Sequence, residues 1–343
     1  PMEPPMATAH WHDGICEIWA CTQTPQSTQK TVAATFGLEL DQVVVHVTLL
    51  GGGFGRKSKP DFSVEAATLA KAVGKPVQVV WKREDDIKHD YFHGCAAQYY
   101  KAGIDASGDV NAWFARAAAP AIESTFNPSA TTIADHWVSQ CIGSIPFDIP
   151  NVRMERHAAE THARIGWLRS VYNVPFGFGV GCFTDELAHA ANKDPKDFWL
   201  ELIGSDRQID FKDDGFKFSN SGRSLEDFPY ETKRYKHVIT TLTDSIAWGE
   251  ELPEGQGWGL TALRSFLSYV AVATKVEVIN GKLQILEMHA VMDCGTVVNP
   301  DRVHAQIEGG LIFGISLALM GQIDFVDGTP TQSNFDDAPV ARS

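Results

Sequence analysis

Apolar residues in this chain come in short runs, broken by polar and glycine-rich punctuation. GICEIWACT (14–22) and QVVVHVTLL (42–50) predict strands, the second from its β-branched enrichment. Between them, TPQSTQKTVAATFGL (24–38) predicts a helix with Thr24 as its cap and Pro25 at the first helical position. A second helix is expected over PDFSVEAATLAKAVG (60–74), stopped by Gly74, and a strand over PVQVVWKRED (76–85). AAQYYKAGIDASGDVNAWFARAAA (96–119) reads as two strands joined by a turn at Ser107-Gly108.

The middle of the chain, about 120–165, is irregular and punctuated by proline. Helices are expected at 175–193, although its first half has more glycine than helix propensity favours, and at 194–204, with Asp194 as cap and Pro195 following. A polar, turn-rich stretch (205–235) precedes a helix over 231–248. AVATKVEVIN and KLQILEMHAVMD form a hairpin around Asn280-Gly281, and 299–321 reads as a glycine-bearing helix. Hairpins beside long helices indicate an α+β fold of mixed sheets with packed helices rather than a doubly wound sheet. The expected lobes are 1–125, 126–235 and 236–343.

Length and charge narrow the classes. A chain of 343 residues exceeds what one core usually serves. A net charge of -14 argues against nucleic acid as the main partner. Six cysteines include no C-x-x-C pair, so zinc-ribbon and thioredoxin-like sites are disfavoured and buried or free thiols are expected. The longest apolar run, GGLIFGISLALMG (309–321), is too short for a membrane span. Both ends are abrupt, which suggests a piece of something longer.

The stretch GGGFGRKS (51–58) asks for chemistry. It lacks the G-x-x-x-x-G-K-[ST] spacing of a phosphate loop and gives no clean G-x-G-x-x-G. The remaining functional reading is a loop whose backbone N–H groups approach an anionic or oxo-bearing cofactor ahead of a helix N-terminus. The bland alternative is a glycine-rich turn without a ligand. Gln23 in CTQTPQ, Arg169 in GWLRSVYN and the segment DCGTVVNPDRVHAQIEGG (293–310) are each weak alone.

Together, PMEP, CTQTPQ, GGGFGRK, WKRED, FDIPNVR, WLRSV, FTDELA, DPKDFWLELI and DCGTVVNPDRVHAQIEGG occur in an order that resembles one family. It is the molybdenum-cofactor-binding large subunit of the xanthine dehydrogenase/aldehyde oxidase family. WLRSV and NFDDAPV are most similar to the isoquinoline 1-oxidoreductase large-subunit branch, which includes bacterial membrane-associated aldehyde dehydrogenases.

The resemblance implies a molybdenum–pterin cofactor, in cytosine dinucleotide form, held with no direct protein ligand to the metal. It implies oxidation of an aldehyde or N-heteroaromatic ring with oxygen from water. Electrons would leave through [2Fe–2S] clusters on a small partner subunit toward a cytochrome c or other acceptor. By motif match, Gln23 donates to the oxo ligand; Gly52, Gly53, Phe54 and Gly55 line the cofactor; Arg169 steadies charge on the substrate; and Asn299, Gln306 and Gly309 bind the cofactor. Ser58 stands where xanthine-type enzymes have glutamate, and Ser170 where carbon monoxide dehydrogenases have cysteine. No glutamate present, including Glu17, Glu65 and Glu308, occupies the catalytic-base position. The expectation is therefore the middle of a catalytic subunit, inactive alone, completed by the remaining segments of that subunit, and periplasmic or membrane-associated, with a cytoplasmic location as the alternative. A catalytically inactive scaffold of the same fold is the rival reading.

Overall fold

The computed structural model describes residues 1–127 and 129–342. The chain forms two compact units: Pro1–His93 with Thr161–Val171 and Ile312–Ser343, and Gly94–Glu160 with Tyr172–Leu311.

In the first unit, β1 (Met6–His12) and β2 (Ile15–Ala20) pair antiparallel, and α1 (Pro25–Phe36) crosses over to β3 (Val43–Val47), which runs parallel to β2. After α2 (Asp61–Val73), β4 (Val77–Val80) joins the other edge, giving the order β3-β2-β1-β4. Strand alternation directs Ala7, Ala9, Cys16, Ile18 and Ala20 into one face. There they form a core with Val32 of α1 and Phe62, Ala66, Ala67 and Ala70 of α2. The alanines keep the helices close, while burial of Ile18, Val32 and Phe62 supplies about 1.5–3 kcal/mol each. β1 interleaves two alanines and two histidines with Thr8 and Trp11, so its strand signal is weak.

Two local expectations change. Thr24 does not cap α1 with its side chain; its hydroxyl donates to Ser58 O at 2.9 Å, tying the helix start to the glycine loop. The strand expected over 76–85 ends at Val80, and Arg83–Lys88 forms α3. The Asp85 carboxylate accepts from Lys82 N–H at 2.9 Å, and acidic residues crowd the first turn, which favours helix over strand.

The second unit begins with the β5 (Ala97–Ile104) and β6 (Val110–Ala119) hairpin, continues through α4 (Asp135–Val138), and adds β7 (Asn151–Ala158) parallel to β6. β7 lies in the stretch read as irregular; its charged residues hide the strand pattern. Next come α5 (Asn173–Ala190), α6 (Pro195–Ile203), the two-residue strands β8 (Gln208–Ile209) and β9 (Tyr230–Glu231), and α7 (Thr232–Asp244). Asp194 caps α6, accepting from Lys196 and Asp197 N–H. The glycines of α5 answer to packing: a Cβ on Gly179 would come within 2.5 Å of Gln98 Oε1. β10 (Gln256–Ser265), β11 (Ser268–Ile279) and β12 (Lys282–Asp293) form a separate, wholly antiparallel sheet, with the β11–β12 turn at Asn280-Gly281 as expected. β10 was not foreseen, because Gly257 and Gly259 interrupt its apolar pattern. Arg234 of α7 grips Asp293 at the end of β12 in a bidentate pair, 2.6 and 2.7 Å.

The division between the units falls within α8 (Pro300–Leu319). The last part of the first unit holds the short hairpin β13 (Phe325–Val326) and β14 (Thr329–Pro330). Among the described residues, no helix is long and apolar enough to cross a membrane. All six cysteines are free thiols. The architecture is the α+β arrangement of mixed sheets that the pattern predicts.

Candidate functional site

The site grows from the end of β3. Thr48 N–H still pairs with Ala20 O at 3.1 Å, and the chain then leaves the sheet as the glycine loop. Phe54 has φ 51° and Gly55 φ 90°, and Gly53 O accepts from Arg56 N–H at 2.9 Å, closing a tight turn. A single 3₁₀ turn, Arg56–Ser58, follows, and α2 begins only at Asp61. The loop thus lies ahead of α2, as the sequence predicts, with the 3₁₀ turn between the glycines and the first turn of that helix.

Gln23 is the partner of this loop. Its backbone N–H donates to Lys57 O at 2.9 Å, and its side-chain Oε1 accepts from Gly55 N–H at 3.0 Å. The Gly55 N–H, expected to face a ligand, is engaged here instead. Holding Oε1 this way orients the carboxamide and presents the Nε2 donors on an exposed side chain. Gly53 leaves the room for it: a Cβ there would lie 2.3 Å from Gln23 Oε1 and 2.5 Å from its Cδ. At Gly55 a Cβ would lie 2.3 Å from the backbone oxygen of Trp167, which belongs to the Arg169 loop. The glycines therefore bring three segments together, 23, 51–55 and 167–169.

The basic residues after the glycines point inward. Arg56 is buried; its two terminal nitrogens reach Asp61 at 2.9 Å each, and its Nε lies 2.7 Å from Asp90. Lys57 is fully buried and paired with Glu3, whose carboxylate also accepts Gly51 N–H at 2.8 Å. Lys59, also buried, sits 3.8 Å from the Trp167 ring centroid. Burial pushes the Asp90 carboxyl up to about 6, Asp86 adding to the rise and Arg56 opposing it. Burial also raises Glu3, but the hydrogen bonds of Lys57 and Gly51 outweigh it and hold that carboxyl below its usual range. These cations are the loop's foundation rather than a surface for phosphate. Sequence reasoning missed Asp61, Asp90 and Trp167 because the contacts join residues distant in sequence.

Phe54 is 38% exposed and stacks on Phe313 at 6.0 Å, with an interplanar angle of 7°. The Arg169 guanidinium lies over the same Phe313 ring, 5.9 Å from its centroid. Directly after it, Ser170 and Val171 both take positive φ, 70° and 48°. For a β-branched residue this conformation is strained, and the surrounding structure holds it there. Phe313, unforeseen from sequence, thus joins the glycine loop to the arginine. Gln23, Gly52, Gly53, Phe54, Gly55 and Arg169 all lie in the first unit.

Asn299, Gln306 and Gly309 lie in the second unit. Asn299 Oδ1 accepts from Arg302 N–H at 3.1 Å, so it caps α8 in front of Pro300. Gln306 and Gly309 are exposed on that helix, three residues apart and on one face. A cavity of about 240 Å³ in this unit, lined by Trp137, Asn173, Asn220 and Arg264 among others, includes none of the sequence-predicted residues.

The residues suit an oxo-bearing, anionic cofactor. Cβ-free backbone at Gly53 makes room for an oriented carboxamide donor, an aromatic pair forms an apolar wall, and a guanidinium stands at its end.

Comparison with known proteins agrees with this reading. A family model described as a molybdopterin cofactor-binding domain matches residues 1–200, and a second with the same description matches 202–342. The chain is 28% identical, over all of its length, to isoquinoline 1-oxidoreductase subunit beta of Brevundimonas diminuta, covering 42% of that protein. It is 30% identical over 97% of its length to a membrane-bound aldehyde dehydrogenase [pyrroloquinoline-quinone] of Gluconacetobacter polyoxogenes, covering 44%. The chain therefore spans less than half the length of these relatives. In fold it matches quinoline 2-oxidoreductase of Pseudomonas putida 86 with a TM-score of 0.81 at 14% identity, covering 100% of this chain and 66% of the other. The carbon monoxide dehydrogenase of Oligotropha carboxidovorans gives 0.79 at 12%, with 100% and 65% covered. With both halves of its length matched, the chain belongs to the molybdopterin cofactor-binding domain family.

Proposed function

We propose that this chain is the cofactor-binding part of a molybdenum-dependent oxidoreductase subunit that oxidises an aldehyde or an N-heteroaromatic ring, with oxygen drawn from water. The observation that carries the reading is the Gln23 carboxamide, held by Gly55 N–H in the space that Gly53 leaves open. When bound, the molybdenum–pterin group supplies the two-electron redox chemistry. The chain's own residues orient and shield. Gln23 Nε2 donates to an oxo acceptor, Phe54 and Phe313 wall the site, and Arg169 sets a positive charge beside it. Asn299, Gln306 and Gly309 serve as a second cofactor-binding segment, whose form is the cytosine dinucleotide. The catalytic base, a glutamate, is assigned to no residue of this chain. A small [2Fe–2S] subunit, a cytochrome c or other acceptor, and a periplasmic or membrane-associated setting complete the proposal; they are supported by the relatives' names as subunit beta and as membrane-bound.

The test uses the full protein that carries this chain, made in a host that assembles molybdenum cofactors. The expected result is molybdenum and a pterin nucleotide in the purified protein, and ¹⁸O from labelled water in the product. Gln23→Ala should lower kcat by about 100-fold, the scale of a lost preorganised donor. A protein without molybdenum, inactive toward both substrate classes, would leave the scaffold reading. Unchanged turnover in Gln23→Ala would remove the assignment of the site.

A further inference from the structure

The face of the β3-β2-β1-β4 sheet opposite the α1 and α2 core is not a random solvated surface. Strand alternation places His10 and His12 of β1 on it together, and the register sets His10 directly across from Glu17 of β2. Ligand atoms of His10, His12 and Glu17 all lie within 4.8 Å of one another. His12 Nε2 is 3.2 Å from Glu17 Oε2. Two donors on one tetrahedral ion, with bonds of about 2.0–2.1 Å, stand about 3.3 Å apart. The other carboxylate oxygen, Oε1, is held by His46 Nε2 of β3 at 2.8 Å, and the His46 ring is stacked on Trp19 at 5.1 Å. The remaining acid at the cluster is Asp13, 3.4 Å from His12 Nδ1, where it can orient the imidazole from behind.

We propose that His10, His12 and Glu17 form a binding site for a zinc-class divalent cation, with His46 and Asp13 orienting Glu17 and His12. Two imidazoles and one carboxylate suit zinc and its neighbours far better than calcium or magnesium, which prefer all-oxygen sets. Three protein ligands leave a fourth position for water. All three side chains are partly exposed, so an ion enters without rearrangement of the core. Such an ion would clip β1 to β2, with β3 joined through the His46 contact. Nothing in this site depends on the molybdenum reading, and its test reads metal rather than turnover.

The experiment titrates the full protein with Zn²⁺ by competition against a chromophoric chelator, and with Co²⁺ by visible absorption. Wild type should bind one equivalent at micromolar or tighter concentration, with the intense Co²⁺ bands of four-coordination. His10→Ala/His12→Ala should weaken zinc by at least about 100-fold, and His46→Ala by about 10-fold, the range for a lost orienting partner. His237→Ala, on an exposed turn of α7, should bind as wild type. Equal zinc binding by wild type and His10→Ala/His12→Ala, or no binding below about 100 µM, would overturn the proposal and leave the cluster as surface ion pairs.

Discussion

Gly53→Ala offers a quantitative test of how the candidate site is assembled. The new methyl would sit 2.3 Å from Gln23 Oε1, with Cδ at 2.5 Å and Cγ at 2.8 Å, where carbon contacts normally lie at about 3.5–4.0 Å. Gln23 must swing away, which breaks the 3.0 Å bond from Gly55 N–H. Losing that bond costs about 1 kcal/mol, and residual crowding adds on the order of 1 kcal/mol. The nearest atoms all belong to Gln23 beyond its Cβ. In a Gln23→Ala background they are gone, so Gly53→Ala should then cost only a few tenths of a kcal/mol. The double-mutant cycle, read from urea unfolding of the four proteins, should give a coupling of about 1–2 kcal/mol. Additive effects would refute the reasoning, because Gly53 would then be glycine for some reason other than clearance for Gln23.

Gly55→Ala should be worse and should not be rescued by Gln23→Ala. It forces φ of 90° on an alanine and drives a methyl into the Trp167 carbonyl, a backbone atom; a loss of about 3 kcal/mol or more is expected in the same unfolding assay. Asp90 should leave a signature in pH. Its folded pKa, about 6, lies above the usual 3.8, so the folded protein binds the extra proton between these values, and stability falls as pH rises through that window. The term is on the order of 2–3 kcal/mol. Asp90→Asn should remove it, so that the stability difference between wild type and variant grows more unfavourable to wild type from pH 4 to 6; a parallel dependence in both proteins would contradict the assignment.

The local elements were legible where one signal dominated. Pro25 and the Asp194-Pro195 pair mark the starts of α1 and α6, and Asn280-Gly281 marks the β11–β12 turn. β1, β7 and β10 were hidden, because alanine, charged residues and glycine replace the usual strand residues where a neighbouring strand supplies the pairing. At the site, motif order singled out Gln23, the glycine loop and Arg169, but not how they are held.

The linear order of residues, through short-range propensities and motif spacing, was enough to specify an α+β chain of the molybdopterin-binding type with a side-chain-poor loop after β3. What only folding decided is why that loop is poor in side chains. Gly53 is bare because Gln23 arrives there, and Gly55 because the Trp167 carbonyl does. Arg56 and Lys57, the basic pair that follows the glycines, are buried on Asp61, Asp90 and Glu3. Phe313, 144 positions after Arg169, supplies the ring between Phe54 and that guanidinium. Clearance and charge neutralisation are properties of what lies across a few ångströms of space, and those neighbours come from segments that only the tertiary fold brings together.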